Sequence, residues 1–297
     1  HLSLRRQRQM CIRDRFIIRF RGQKGDKNMT DKIKVGLIFG GNSSEYEVSI
    51  MSAHNIYEEI DTNKFDVYPM WITNDGYLAN DADSRKVLDN PKMEVANPHK
   101  VANISNIIEL KDRPEIDVFF PIVHGNLGED GCLQGLFRVL DKPFVGDDVL
   151  AAAVTMDKEM TKILAQRAGV PVAKWIAVKR FEYNDPDNEK LDYEYVASQL
   201  GSDLFVKPSN QGSSVGVSHV TNEKEYKVAL AEAFKYDDKV LVEETVHGTE
   251  VETAVLGNDK PIVAGVGQII NAKDSFYTYE NKYDDDSTST LEIPAKL

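Results

Sequence analysis

The chain has 297 residues, 41% of them hydrophobic, with a formal net charge of −12 and a pI near 5.1. That length exceeds a typical single domain of roughly 100 to 200 residues and supplies apolar side chains for more than one core. The acidic balance argues against nucleic acid as a main partner, so a small anionic ligand must be met by locally basic positions. The two cysteines, Cys11 and Cys132, lie far apart in unlike contexts, which argues against a disulfide framework or a zinc cluster and fits a reducing cytoplasm. No apolar run approaches the ~18 residues of a membrane span, so a soluble protein is expected.

Residues 1–28 carry nine lysines and arginines against Asp14 and Asp26 and show no sustained period. They read as a non-native, disordered leader ahead of Met29. From Ile33 the pattern is strand, turn, helix: KVGLIFGG is β-rich, and Ala53, Ile56, Tyr57 and Ile60 then recur at helical spacing. This is a Rossmann-like opening. Ser44 and Glu47 match an S-x-x-E capping box, which by itself accounts for both residues.

Val67 to Ile72 reads as a second strand, and Asn74-Asp75-Gly76 turns the chain before Tyr77-Leu78. Residues 79–114, rich in Asn, Asp and Pro, read as an irregular insertion in which His99 is a solvated surface residue. Ile116 to Val123 is a near-continuous apolar run of the kind buried on both faces of a sheet. It delivers HGNLGEDG, so His124, Glu129 and Asp130 fall at the carboxyl end of a strand, where open α/β sheets place their ligands. Pro143 to Val145 reads as the next strand.

Two helical stretches follow Asp147, the second from Lys158 to Ala168 with Gly169 as its stop. Trp175 to Val178 is strand-like, Tyr183 to Lys190 a charged loop, and Val196 to Leu200 the end of a helix. After a short strand at Asp203 to Val206 comes KPSNQGSSVGV, Lys207 to Val217. A glycine-rich turn can fold its N–H groups around phosphate oxygens while Ser213, Ser214 and a lysine add donors and charge. The spacing fits neither the Walker lysine loop nor GxGxxG. Glu223 to Phe234 reads as a helix and Val240 to Val246 as a strand that ends in Glu243 and Glu244, with Glu250 beyond. Carboxylates there suit an exocyclic amine and ribose hydroxyls. Val251 to Leu256 and Pro261 to Val266 should pair as an antiparallel hairpin. The long aromatic and polar stretch after it is of a length that is uncommon unless functional or disordered.

GGNSSEYEVS, HGNLGEDG, the Met156-Asp157-Lys158 triplet, KPSNQGSSVGV, VLVEE with Glu250, and FYTYENKY occur in one order. In this the chain, from about residue 31 onward, resembles the D-alanine:D-alanine ligases of the ATP-grasp fold. The resemblance implies an α/β protein: a Rossmann-like N-terminal domain over 29–146, a central ATP-grasp subdomain over 147–249, and the start of a C-terminal subdomain over 250–297. It implies that ATP phosphorylates the carboxylate of one D-alanine and that the amine of a second displaces phosphate from the acyl phosphate. Lys158 and Lys207 would contact ATP phosphates, Ser213 and Ser214 would cover the transferring phosphoryl, and Glu243 and Glu250 would read adenine and ribose. Glu47 would pair with the ammonium of the first D-alanine and His124 would lie beside its carboxylate. Ser213 and Tyr283 would complete a hydrogen-bonded chain with Glu47.

Further implications are a cytoplasmic enzyme of peptidoglycan synthesis, a possible homodimer, and Mg2+. The metal's Asp, Glu and Asn ligands and an arginine would come from a stretch beyond EIPAKL, so the sequence reads as a C-terminally truncated fragment, inactive alone, with no metal ligands of its own. Two alternatives stand beside this reading: ligation of D-lactate or D-serine as the second substrate, and an ATP-binding remnant without catalysis.

Overall fold

The computed structural model describes residues 32–93, 95–103, 115–185, 187–270 and 290–296. They form two compact units that divide between Thr161 and Lys162.

The first unit opens with β1 (Ile33–Gly40), a helix α1 (Tyr46–Glu59) and β2 (Phe65–Ile72) parallel to β1. A tight turn, with Gly76 at positive φ, leads to β3 (Tyr77–Ala79) antiparallel to β2. Then come α2 (Asp81–Asp89), β4 (Lys100–Asn103) and β5 (Val118–Pro121), which lies parallel to β1 on the side away from β2. The sheet order is β4-β3-β2-β1-β5. Two apolar layers sandwich it: Ile38, Met70, Phe119 and Phe137 in one, and Leu37, Phe39, Trp71 and Leu88 in the other. Alternation along β1 sends neighbouring residues to opposite layers, which is why its apolar run is continuous.

The structure of this unit departs from three of the sequence expectations. Residues 81–89 are helical rather than irregular, because Asn80 caps the segment by accepting from Asp83 N at 2.7 Å and Val87 and Leu88 are buried. The capping box of Ser44 and Glu47 does not form. Instead α1 starts at Tyr46, with Glu45 in the cap position and no side-chain cap. Pro143 to Val145 makes only a single parallel bridge, Phe119 to Phe144, and not a strand. The unit continues with α3 (Cys132–Val139) and α4 (Val149–Met156), which pack on one another. The next helix, α5 (Lys158–Arg167), contains the division between the units.

The second unit is built on an antiparallel sheet of order β6-β9-β7-β8. Its elements are β6 (Trp175–Lys179), α6 (Arg180–Tyr183), α7 (Tyr193–Leu200), β7 (Leu204–Pro208), β8 (Ser218–Val220), α8 (Glu223–Ala233) and β9 (Lys239–Glu244). Val178, Leu204, Val206, Val240 and Val242 turn to one face, where they pack with Val196, Tyr226 and Leu230 of α7 and α8. The strand period of two then sends Trp175, Phe205, Lys207, Leu241 and Glu243 to the other face.

Beyond it, β10 (Val251–Glu252), β11 (Val255–Leu256), β12 (Ile262–Val263), β13 (Gly267–Ile270) and β14 (Thr290–Glu292) form two small antiparallel sheets. The expected hairpin is present only in part: Val255 and Leu256 pair with Val263 and Ile262, whereas Val251 and Glu252 pair in the other sheet with Gln268 and Gly267, beyond the expected second strand. Among the described residues no helix is long and apolar enough to cross a membrane.

Candidate functional site

In the first unit the loops that leave β1 and β5 are tied together by serines. Gly40 turns the chain at φ +88°, where a Cβ would lie 2.1 Å from the Ile72 carbonyl oxygen, so only glycine fits. Ser43 Oγ donates to the His124 carbonyl at 2.8 Å and accepts from Glu45 N at 3.2 Å. One turn into α1, Ser49 Oγ donates to the Ile122 carbonyl and accepts from Gly40 N. These bonds fix α1, and Glu47 in its first turn, against the HGNLGEDG loop.

His124 is held by side chains at both ring nitrogens: Nδ1 lies 3.2 Å from Glu129 Oε1 and Nε2 lies 3.1 Å from Ser52 Oγ. An ionised carboxylate can only accept, so Nδ1–H donates to Glu129 and Nε2 is left to the Ser52 hydroxyl. Burial pushes the Glu129 carboxyl up, but the bonds from His124 and from Gly125 N (2.8 Å) outweigh it and hold the group below the ordinary glutamate range. Beside this array a cavity of about 190 Å³ opens at the carboxyl ends of β1, β2 and β5, lined by Gly41, Ile72, Val123, Asn126 and Leu127. Glu47 itself is exposed.

In the second unit Glu243 is the centre. It is only 5% exposed, yet it carries a carboxylate between two lysines. Lys207 Nζ lies 2.5 Å from Oε2 and Lys162 Nζ lies 3.2 Å from Oε1. The Lys162 contact is an ion pair without hydrogen-bond alignment, so Oε1 remains a buried acceptor with no hydrogen bond among the described residues. Lys162 donates instead to the Ala173 carbonyl at 3.0 Å and sits 5.4 Å from the centre of the Trp175 ring. Two ammonium groups share one carboxylate. The cluster therefore has a surplus positive charge next to an unused acceptor, a combination that fits an anionic ligand bearing an amine donor.

Lys207 leads into KPSNQGSSVGV. The loop is pinned at its start, where Asn210 N and Nδ2 donate to Asp237 Oδ2 at 2.6 and 3.0 Å and Gln211 Nε2 donates to the Tyr236 carbonyl at 3.1 Å. Its tip is strained: Ser213 and Ser214 adopt φ of +46° and +63°, and such backbone clusters at ligand clamps. Gly216 follows at φ +67°, and a Cβ there would lie 2.7 Å from the Tyr236 ring and 2.9 Å from Pro208.

Of the other expected residues, Lys158 begins α5, Glu250 is exposed just before β10, and Tyr283 lies outside the described residues. Glu244, Glu243's neighbour, spends its carboxylate on Lys174 N at 2.8 Å. Sequence reasoning missed Lys162, Trp175 and Ser52. A signal for the first was present, because Lys162 stands one helical turn after Lys158. Among the described residues no group of three His, Cys, Asp or Glu side chains could hold a metal.

Comparison with known proteins gives a consistent answer. Residues 34–147 match the family model described as the D-Ala D-Ala ligase N-terminus, and residues 164–297 match the D-Ala D-Ala ligase C-terminus. A D-alanine--D-alanine ligase of Lactobacillus gasseri is 99% identical over 269 residues, covering 91% of this chain and 74% of its own length. The enzyme of the same name from Lactobacillus acidophilus is 78% identical over 91% of this chain and 75% of its own. Among solved structures, the VanG D-Ala:D-Ser ligase of Enterococcus faecalis has a TM-score of 0.68 at 34% identity, covering 90% of this chain and 78% of that one.

Proposed function

The chain belongs to the D-alanine--D-alanine ligase family, and from that premise we propose how its residues divide the work. The protein is an ADP-forming ligase that joins two D-alanine molecules and supplies D-alanyl-D-alanine for peptidoglycan. The family depends on ATP and a divalent metal, and we take the metal to be Mg2+. It stabilises charge on the phosphates when bound.

The observation that carries the reading is Glu243, buried between two lysines with an acceptor oxygen unused. Adenine supplies the missing donor through its exocyclic amine, and the phosphates supply a second anion for the two lysines that share one carboxylate. Lys158 would add a second phosphate contact and Glu250 would take the ribose hydroxyls. Ser213, Ser214 and the neighbouring N–H groups would cover the transferring phosphoryl, with Tyr283 bonded to Ser213. In the first unit Glu47 would take the ammonium of the first D-alanine and His124 its carboxylate.

Chemically, the carboxylate of the first D-alanine attacks the γ-phosphorus and ADP leaves. The free amine of the second D-alanine then attacks the acyl carbon, phosphate departs with the C–O bond, and the amine loses a proton. Positioning and charge neutralisation account for most of such a phosphoryl transfer. Excluding water protects the acyl phosphate from hydrolysis. A cytoplasmic location and a homodimer complete the proposal.

The test is D-alanine-dependent ADP release with ATP and Mg2+ by the enzyme extended to the length of its relatives, with Glu47 intact and in Glu47→Gln. The reading predicts release that rises with D-alanine, and a Glu47→Gln variant that demands far more D-alanine at an unchanged KM for ATP. An unchanged D-alanine requirement would remove Glu47 from the site.

A further inference from the structure

Lys162 is nearly as buried as its partner, with side-chain exposures of 13% for the lysine and 7% for Glu243. A lysine brought that far out of water is uncommon, and nothing in the reaction as described uses it. Three groups hold its ammonium: the Ala173 carbonyl at 3.0 Å, Glu243 Oε1 at 3.2 Å, and the face of Trp175. Trp175 is itself directly opposite Glu243 in the β6–β9 pairing. Lys162 is thus fixed by β6 and the segment before it, independently of Lys207.

Resting on the reading of Glu243 as the adenine acceptor, we propose that Lys162 is a positioning residue for nucleobase selection, which holds the Glu243 carboxylate when Lys207 turns to phosphate. Lys207 has two claims on its charge. Bonded to Glu243 Oε2 it neutralises a buried carboxylate; facing a phosphate it cannot do so equally well. Without a second cation the nucleotide would leave Glu243 buried without an ion-pair partner and free to turn its carboxylate away from the base. A carboxylate accepts but cannot donate, so when held in place it takes adenine's amine and rejects guanine's carbonyl oxygen. Lys162 holds it there. It approaches Oε1 without an aligned hydrogen bond, so the oxygen stays available to the base.

The experiment measures dissociation constants of ATP and GTP for the full chain, in the wild type and in Lys162→Gln, Lys162→Arg and Glu243→Gln. Glutamine keeps a donor for the Ala173 carbonyl and removes the charge; arginine restores the charge. The expected result is an ATP-over-GTP preference that falls at least about tenfold in Lys162→Gln, toward that of Glu243→Gln, and recovers in Lys162→Arg. A residue that only stabilised the fold would lower both affinities together and leave their ratio alone. If Glu243→Gln collapses the ratio and Lys162→Gln does not, the role of Lys162 is overturned and the adenine reading survives. If Glu243→Gln leaves the ratio unchanged, the adenine reading fails and the role of Lys162 with it. Should Lys162→Gln not fold, Lys162→Arg decides: a folded arginine variant without the preference overturns the proposal, and one that keeps it supports a charge requirement.

Discussion

Lys207 Nζ lies 2.5 Å from Glu243 Oε2 across adjacent strands, and the two come together because β7 and β9 pair in a register that sets Phe205 opposite Glu243 and Lys207 opposite Leu241. Both side chains therefore emerge on the same sheet face, diagonal neighbours within reach of long side chains. The opposite face is filled by Leu204, Val206, Val240 and Val242 against α7 and α8. One face makes the core and the other makes the chemistry.

The strained loop after Lys207 should be intolerant of even one methyl group. Gly216→Ala would meet Tyr236 and Pro208 at a left-handed φ, a strain of roughly 1 to 3 kcal/mol. Chemical denaturation should show the loss of stability, and an ATP titration should show weaker binding. A variant as stable and as tight as the wild type would mean that the loop relaxes freely.

The core of the second unit carries a defect that can be repaired. Tyr226 is 1% exposed and its hydroxyl has no hydrogen bond among the described residues. Burial, with nearby Asp192, pushes its phenol far above the ordinary tyrosine range. Tyr226→Phe should raise stability by roughly 1 kcal/mol, seen as a higher urea midpoint at unchanged slope. A lower midpoint would reveal a partner for the hydroxyl.

Much of this was legible in the chain. Continuous apolar runs marked β1 and β5, and the order of glycine-rich and acidic motifs marked the family and the positions of His124, Lys207 and Glu243. What escaped depends on contacts distant in sequence. The spacing of Ser44 and Glu47 promised a local cap, but the neighbouring Ser43 hydroxyl reaches across to the His124 carbonyl and α1 begins without a side-chain cap. Asn80 and the buried Val87 and Leu88 make α2 out of a stretch whose Asn, Asp and Pro content suggested a loop. Lys162 stands one helical turn after Lys158, but what it touches emerges only once the strand pairing brings Trp175 opposite Glu243.

Glu129 should give the acid limb of stability a recognisable slope. Its folded pKa is depressed, so its contribution is fully present above the ordinary glutamate value and is lost as pH falls through the lowered folded value. Stability measured from about pH 6 down to about pH 3 should fall less steeply in Glu129→Gln than in the wild type. Parallel curves would show that the contact with His124 contributes nothing to folding.

Acceptor choice should depend on Tyr283. Phenylalanine cannot form the hydrogen bond to Ser213 proposed for Tyr283, so in the enzyme extended to the length of its relatives Tyr283→Phe is expected to shift ligation from D-alanine toward D-lactate near neutral pH. Competing the two acceptors in one reaction checks this, and an unchanged product ratio would leave Tyr283 a packing residue.

Nucleotide phosphates should draw the charge that Lys207 shares with Glu243. Titrating the chain with ATP, in the wild type and in Lys207→Ala, tests it most directly. A charge-assisted contact of roughly 1.5 to 3 kcal/mol corresponds to an affinity loss of about ten- to 150-fold, and a loss in that range is expected with D-alanine binding unchanged. An alanine variant that binds ATP as tightly as the wild type would contradict it.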